Sequence, residues 1–107
     1  MYYRIVEFET RVRSIGQTLA VYLPSTSKLP SCDTFCCDIE DGKLVYVCGE
    51  VCGKKVRLRK QHVRGHTYCW LTIPIVYARV LGIREGTKVR VSFGEETIVV
   101  EKVDEND

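Results

Sequence analysis

Two sets of side chains in this chain have the types and spacing to do chemistry: soft sulfur ligands and a long run of cations. Cys32, Cys36, Cys48 and Cys52 form two pairs that could converge from a hairpin onto zinc as thiolates. Cys37 and Cys69 complete the six cysteines. Strand parity works against a four-thiolate site. With Asp41-Gly42 as a two-residue hairpin turn, Glu40 pairs with Lys43 and Phe35 with Cys48. Cys37 and Cys48 then share one face, and Cys32 and Cys36 the other. Structural thiols rank first and a disulfide second, with Cys37–Cys48 the diagonal pair to examine; zinc ranks third. An intracellular disulfide would point to a hyperthermophilic source.

The cations are unevenly placed. Between Glu50 and Glu85 there is no acidic residue, while Lys54, Lys55, Arg57, Arg59, Lys60, Arg64, Arg79 and Arg84 all fall there. A charge run is ordinarily a solvated face. This one lies in a β-patterned segment, which favours a surface that attracts polyanions. Arg57 and Arg59 alternate with Val56 and Leu58, so a strand there can bury one face and present guanidinium groups on the other. His62, His66 and Cys69 hold the residue types of a nucleophile and its base. They lack an orienting carboxylate and a nucleophile elbow, so no enzyme is expected, and no cofactor.

The elements that must position these residues repeat. Ser14 to Pro24 and Gly65 to Pro74 are alternating stretches that each halt at a proline, about fifty residues apart. Val6 matches Val56, Phe8 matches Leu58, and Leu19, Val21 and Leu23 match Cys69, Leu71 and Ile73. Further on the offset becomes 54, pairing Phe35 with Val89, Cys37 with Val91, Ile39 with Phe93 and Leu44 with Ile98. A chain of 107 residues supports one modest core. The expectation is a single pseudo-symmetric domain of half-units 1–50 and 51–103, with a short acidic tail at 104–107. Strands are expected over Tyr3–Val12, Thr18–Leu23, Lys54–Val63 and Tyr68–Ile73, with hairpins over Phe35–Cys48 and Lys88–Lys102. One helix is expected, with Pro74 at its first position, Gly82 as its cap, and Val76, Tyr77, Val80 and Leu81 on one face. The matching stretch Pro24–Asp33 is expected to be a loop or a single turn. Tyr22 and Trp70 read as equivalent outward-facing aromatics whose default role is packing.

Thr72-Ile73-Pro74, the segment ending Val80-Leu81-Gly82-Ile83, and Arg84-Glu85-Gly86-Thr87-Lys88-Val89-Arg90-Val91 resemble the AbrB-type swapped-hairpin (SpoVT-AbrB) DNA-binding family. Gly16 to Pro24 and Asp38 to Val45 are similar to its MazE antitoxin branch. Together the two resemblances cover most of the chain. They imply a mostly β fold with one short helix, a swapped-hairpin double-psi-like barrel formed by two tandem half-units in one chain. Fusion would make that pairing intramolecular. The resemblance places basic DNA contacts at Arg13 and Arg64. Ser14, Tyr22 and Thr72 stand where further contact residues are common, and Arg11, Arg57, Arg59, Lys60 and His62 are the cations available to offset them.

The functional expectation is a double-stranded DNA-binding protein, a transcription regulator of the AbrB type. The rival is an antitoxin-like or other protein-interaction module of the MazE type with a toxin-like partner. A long C-terminal segment of the kind that wraps a toxin is not expected after the last strand. A third reading leaves one copy as a structural half with a single DNA face. A homodimer is compatible with each. No leader peptide or membrane span is expected, and a cytoplasmic location is.

Overall fold

Alternation of branched and aromatic residues with polar ones draws most of this chain into strands. A computed structural model describes residues 6–24, 29–49 and 54–104. In order these form β1 (Val6–Arg11), β2 (Arg13–Ile15), β3 (Thr18–Leu23), β4 (Thr34–Glu40), β5 (Lys43–Cys48), β6 (Lys55–Arg57), β7 (Arg59–Val63), β8 (His66–Ile73), α1 (Ile75–Leu81), β9 (Lys88–Phe93) and β10 (Thr97–Lys102). The expected strand start at Tyr3, Cys52, part of the Pro24–Asp33 stretch and most of the acidic tail lie outside the described residues.

The strands build two antiparallel sheets. One runs β1-β9-β10-β5-β4-β6 and the other β2-β3-β8-β7. Their inner faces enclose one core, which includes Val21, Leu71 and Ile73 from the smaller sheet and Phe35, Leu44, Tyr46, Val91 and Ile98 from the larger. Each such aliphatic or aromatic side chain contributes roughly 1.5–3 kcal/mol by leaving water.

The sheets do not close into the expected barrel. The chain passes from one sheet to the other at Val12 and again at Leu58, which are 1% and 7% exposed. Val12 N donates to Thr87 O at 2.9 Å and its carbonyl accepts from Gly86 N at 2.8 Å, while Leu58 N donates to Asp33 O at 2.8 Å. With the corner backbone bonded to loops, the ladder does not continue between sheets. The single strand expected over Lys54–Val63 is therefore two strands in different sheets.

The registers contain an internal two-fold. Across β3 and β8, Leu19 pairs with Ile73, Val21 with Leu71, and Leu23 with Cys69. Val21 and Leu71 are fifty positions apart, so this pairing is its own mirror in the repeat. Across β5 and β10, Val45 pairs with Val99, flanked by Tyr46 with Ile98 and Leu44 with Val100. Those centres are 54 positions apart, again self-corresponding. The opening strands are exchanged: β1 pairs with β9, and β6 pairs with β4.

This exchange corrects the opening matches. Thr10 pairs with Val89 and Val56 with Phe35, so Val56 corresponds with Thr10 rather than Val6. Leu58 correspondingly matches Val12, not Phe8. Tyr22 and Trp70 are direct cross-strand partners instead of repeat equivalents, with ring centroids 5.7 Å apart.

The helix forms where its signals stand, with a shifted start and a partly turned face. Pro74 precedes the helix as its cap residue (φ −55°, ψ 130°), and Gly82 ends it at φ 70°. Half of the expected apolar face turns inward: Tyr77 and Leu81 pack against the core, while Val76 and Val80 do not. Ala78 is buried, whereas Ile75, Val76 and Val80 are 52%, 51% and 68% exposed. Ile83 N donates to Ala78 O at 2.8 Å and its side chain enters the core, so the helix exit sets which face turns inward.

Candidate nucleic-acid interface

The two hairpins of the smaller sheet differ in length. In the first, Arg13 pairs with Ala20 and the ladder ends at Ile15 with Thr18. In the second, Arg59 pairs with Trp70 and Gln61 with Tyr68, and two further pairs follow, His62 with Thr67 and Val63 with His66. Ala20 and Trp70 correspond in the repeat, so Arg13 corresponds with Arg59. Arg64 has no counterpart in the first hairpin and sits at the added tip. The extra pairs lengthen the β7–β8 arm by about 7 Å at the usual antiparallel rise.

Local sequence makes this arm. Arg64 and Gly65 take φ 49° and 82°, the pair of positive values that a tight two-residue hairpin turn requires. Every residue of β7 is exposed, on both faces. His62 Nδ1 and Thr67 Oγ1 approach to 2.8 Å and brace the arm across its strands. The width of a two-stranded ribbon matches the major groove of B-form DNA.

The seven expected contact residues do not share one face. Arg13 and Arg59 stand on the outer face of the smaller sheet, by their pairing with Ala20 and Trp70. Lys60 and His62 point to the opposite side of β7 by strand alternation. Arg57 belongs to β6 at the edge of the larger sheet. Arg11 ends β1, and its guanidinium donates to Gly86 O at 2.9 Å. The arm gathers Arg59, Lys60, His62 and Arg64; Arg11, Arg13 and Arg57 lie away from its tip.

Charge separates the arm from the larger sheet. There Lys88 and Arg90 approach Glu9 at 3.3 and 3.2 Å, and Lys43 and Arg90 approach Glu101 at 3.5 and 3.6 Å. Hydrogen bonds from Lys88 and Arg90 hold the Glu9 carboxyl below its ordinary range. Arg57, Arg59, Lys60 and Arg64 form no ion pair with a described residue, so the arm's positive charge is available to an external anion.

The base of the arm adds Thr10, Gln61, Val63 and Tyr68, to which the sequence pattern assigned no functional role, to Arg13 and Tyr22. A groove of about 500 Å³ is lined by Thr10, Arg13, Tyr22, Gln61, Val63 and Tyr68 among others. The Arg13 guanidinium carbon lies 5.8 Å from the Tyr22 ring centroid. Tyr68 is 45% exposed. Gln61, Val63 and Tyr68 share strand parity with Arg59, a signal available once Arg64-Gly65 is taken as the turn.

The cysteines resolve differently from the expected pair. Cys32 is bridged to Cys48, with Cα atoms 5.9 Å apart, and Cys36 is also disulfide-bonded. Cys37 and Cys69 are free and buried. Cys37 pairs with Tyr46 in register, which leaves Cys48 as its diagonal neighbour. Diagonal Cα atoms stand about 7–8 Å apart, beyond the usual reach of a disulfide. Cys32 precedes β4 and is not bound by its parity. Cys32, Cys36 and Cys48 as disulfides are not thiolate ligands, and no metal-ligating cluster occurs among the described residues.

No helix among the described residues is long and apolar enough to cross a membrane. No family model, curated protein or solved structure matches this chain.

Proposed function

We propose that this protein binds double-stranded DNA through the β7–β8 arm and acts as a transcription regulator of the AbrB type. The observation that carries this reading is the arm itself: longer than its counterpart, exposed on both faces, and furnished with Arg59, Lys60, His62 and Arg64 in an acid-free segment. The ribbon enters the major groove, and its cations bond phosphate oxygens at the groove walls. The same reading treats the exchange of β1 and β6 as a swapped-hairpin arrangement within one chain, supported by the self-corresponding registers at Val21–Leu71 and Val45–Val99.

The test is a titration of duplex DNA at several salt concentrations, alongside a variant lacking His62, Val63, His66 and Thr67. The intact protein loses affinity steeply as salt rises. The shortened variant, matched in length to the first hairpin, folds and binds at least about tenfold more weakly. Absence of duplex binding at low salt overturns the proposal.

One observation favours a second reading, a protein-interaction module of the MazE type. Ile75, Val76 and Val80 expose an apolar helix face beside Arg79. Co-purification of a small protein partner, lost in Val76→Asp and joined with no retention of DNA, would establish that reading instead.

A further inference from the structure

We propose that the groove at the base of the β7–β8 arm is a site for one unstacked nucleotide, a planar heteroaromatic ring carrying a phosphate. This goes beyond duplex binding by the arm and rests on different side chains. The cavity of about 500 Å³ is within the range of small-ligand sites. Two of its lining residues, Tyr22 and Tyr68, offer aromatic surface, and Val63 adds an apolar wall.

The polar groups among these residues suit the rest of a nucleotide. Gln61 carries both a donor and an acceptor on one planar amide, the pattern that bonds a base edge. Arg13 already stacks near Tyr22, and its remaining N–H groups suit a phosphate. Among the described residues no carboxylate lines the groove, so none of them opposes an anion there. A base from a nucleic acid strand and the base of a free mononucleotide present the same chemistry to this site.

Trp70, the only tryptophan in the sequence, reports on the site because its ring is 5.7 Å from Tyr22. The experiment follows its fluorescence during titration with AMP, adenosine, ribose 5-phosphate, a short single-stranded DNA oligonucleotide and a DNA duplex. AMP or the oligonucleotide quenches Trp70 and saturates, adenosine binds more weakly than AMP, and ribose 5-phosphate gives no saturable change. Saturation by AMP identifies a free nucleotide as the ligand; saturation by the oligonucleotide alone identifies a base within a strand.

Tyr68→Ala weakens the quenching ligand by about tenfold or more, as loss of one stacking partner does. Tyr68→Phe, which keeps the ring, restores it, and circular dichroism checks that both variants fold. Lys60→Ala with Arg64→Ala weakens the duplex and leaves the groove ligand unchanged, so failure of this site is separable from failure of the arm. Three results each overturn the proposal: no saturable quenching by either nucleotide ligand, equal binding of AMP and ribose 5-phosphate, or wild-type affinity in Tyr68→Ala.

Discussion

The Tyr46 hydroxyl donates a 3.0 Å hydrogen bond to the carbonyl oxygen of Thr72 and so fastens β5 of the larger sheet to β8 of the smaller. Tyr46 is fully buried, and its ring lies in the core the two sheets share. Tyr46→Phe keeps the ring and removes the bond. It is expected to lower the unfolding free energy by about 1–2 kcal/mol, read from the midpoint and slope of urea denaturation. An unchanged midpoint would show that the bond adds nothing net.

Alkaline pH probes the same place. Burial pushes the Cys37 thiol up to about 12, and burial also raises the neighbouring Tyr46 phenol above its ordinary value. Both groups ionise more readily in the unfolded chain than in the folded one. The folded state therefore holds more protons above the unfolded thiol value, and stability falls as pH rises. The contribution is complete below about pH 9 and is lost progressively toward about pH 12. Urea midpoints measured from neutral to alkaline pH should decline, and Cys37→Ala should delay the onset of that decline. A flat profile in the parent protein would contradict the assignment.

Loss of the Cys32–Cys48 bridge should act mainly on the unfolded chain. The two cysteines are 16 positions apart. Closing a loop of that size stabilises by about 3 kcal/mol in the chain-entropy description. Cys32→Ser is expected to lower the melting temperature, and a reducing agent should lower that of the parent protein. Equal melting temperatures with and without reductant would mean that no bridge contributes.

Salt dependence distinguishes arm cations from paired ones. Lys60→Ala and Arg64→Ala should each reduce the slope of log affinity against log salt by about 1. Lys88→Ala should leave the slope unaltered, because Lys88 is held by Glu9 on the larger sheet. The check is a set of duplex titrations at matched pH, and a slope that changes most for Lys88→Ala would relocate the contact surface.

Local signals were legible where a turn or a cap alone decides the outcome. Asp41-Gly42 gives the β4–β5 hairpin with Glu40 opposite Lys43 and Phe35 opposite Cys48, as parity requires. Gly82 ends the helix for the same kind of reason. The crossings at Val12 and Leu58 were not legible, since a buried apolar residue there preserves strand alternation while the backbone changes sheet. Helical periodicity placed Tyr77 and Leu81 against the core, whereas the outward turn of Val76 and Val80 follows the entry of Ile83 into the core, a tertiary demand. The arm's length was hidden because an offset of fifty fits its outgoing strand, whereas its incoming strand follows an offset of 46.

The exchange of opening strands also constrains how the chain reaches its native state. Val6 finds its partner at Phe93, so β1 must wait until β9, more than eighty residues later, is available. The β4–β5 hairpin closes over neighbouring residues and can form early. Folding dominated by such distant pairings is slow relative to that of local-contact proteins. A ribosome-bound chain halted before β9 would hold β1 without its partner strand, so the larger sheet is completed only after β9 and β10 have emerged.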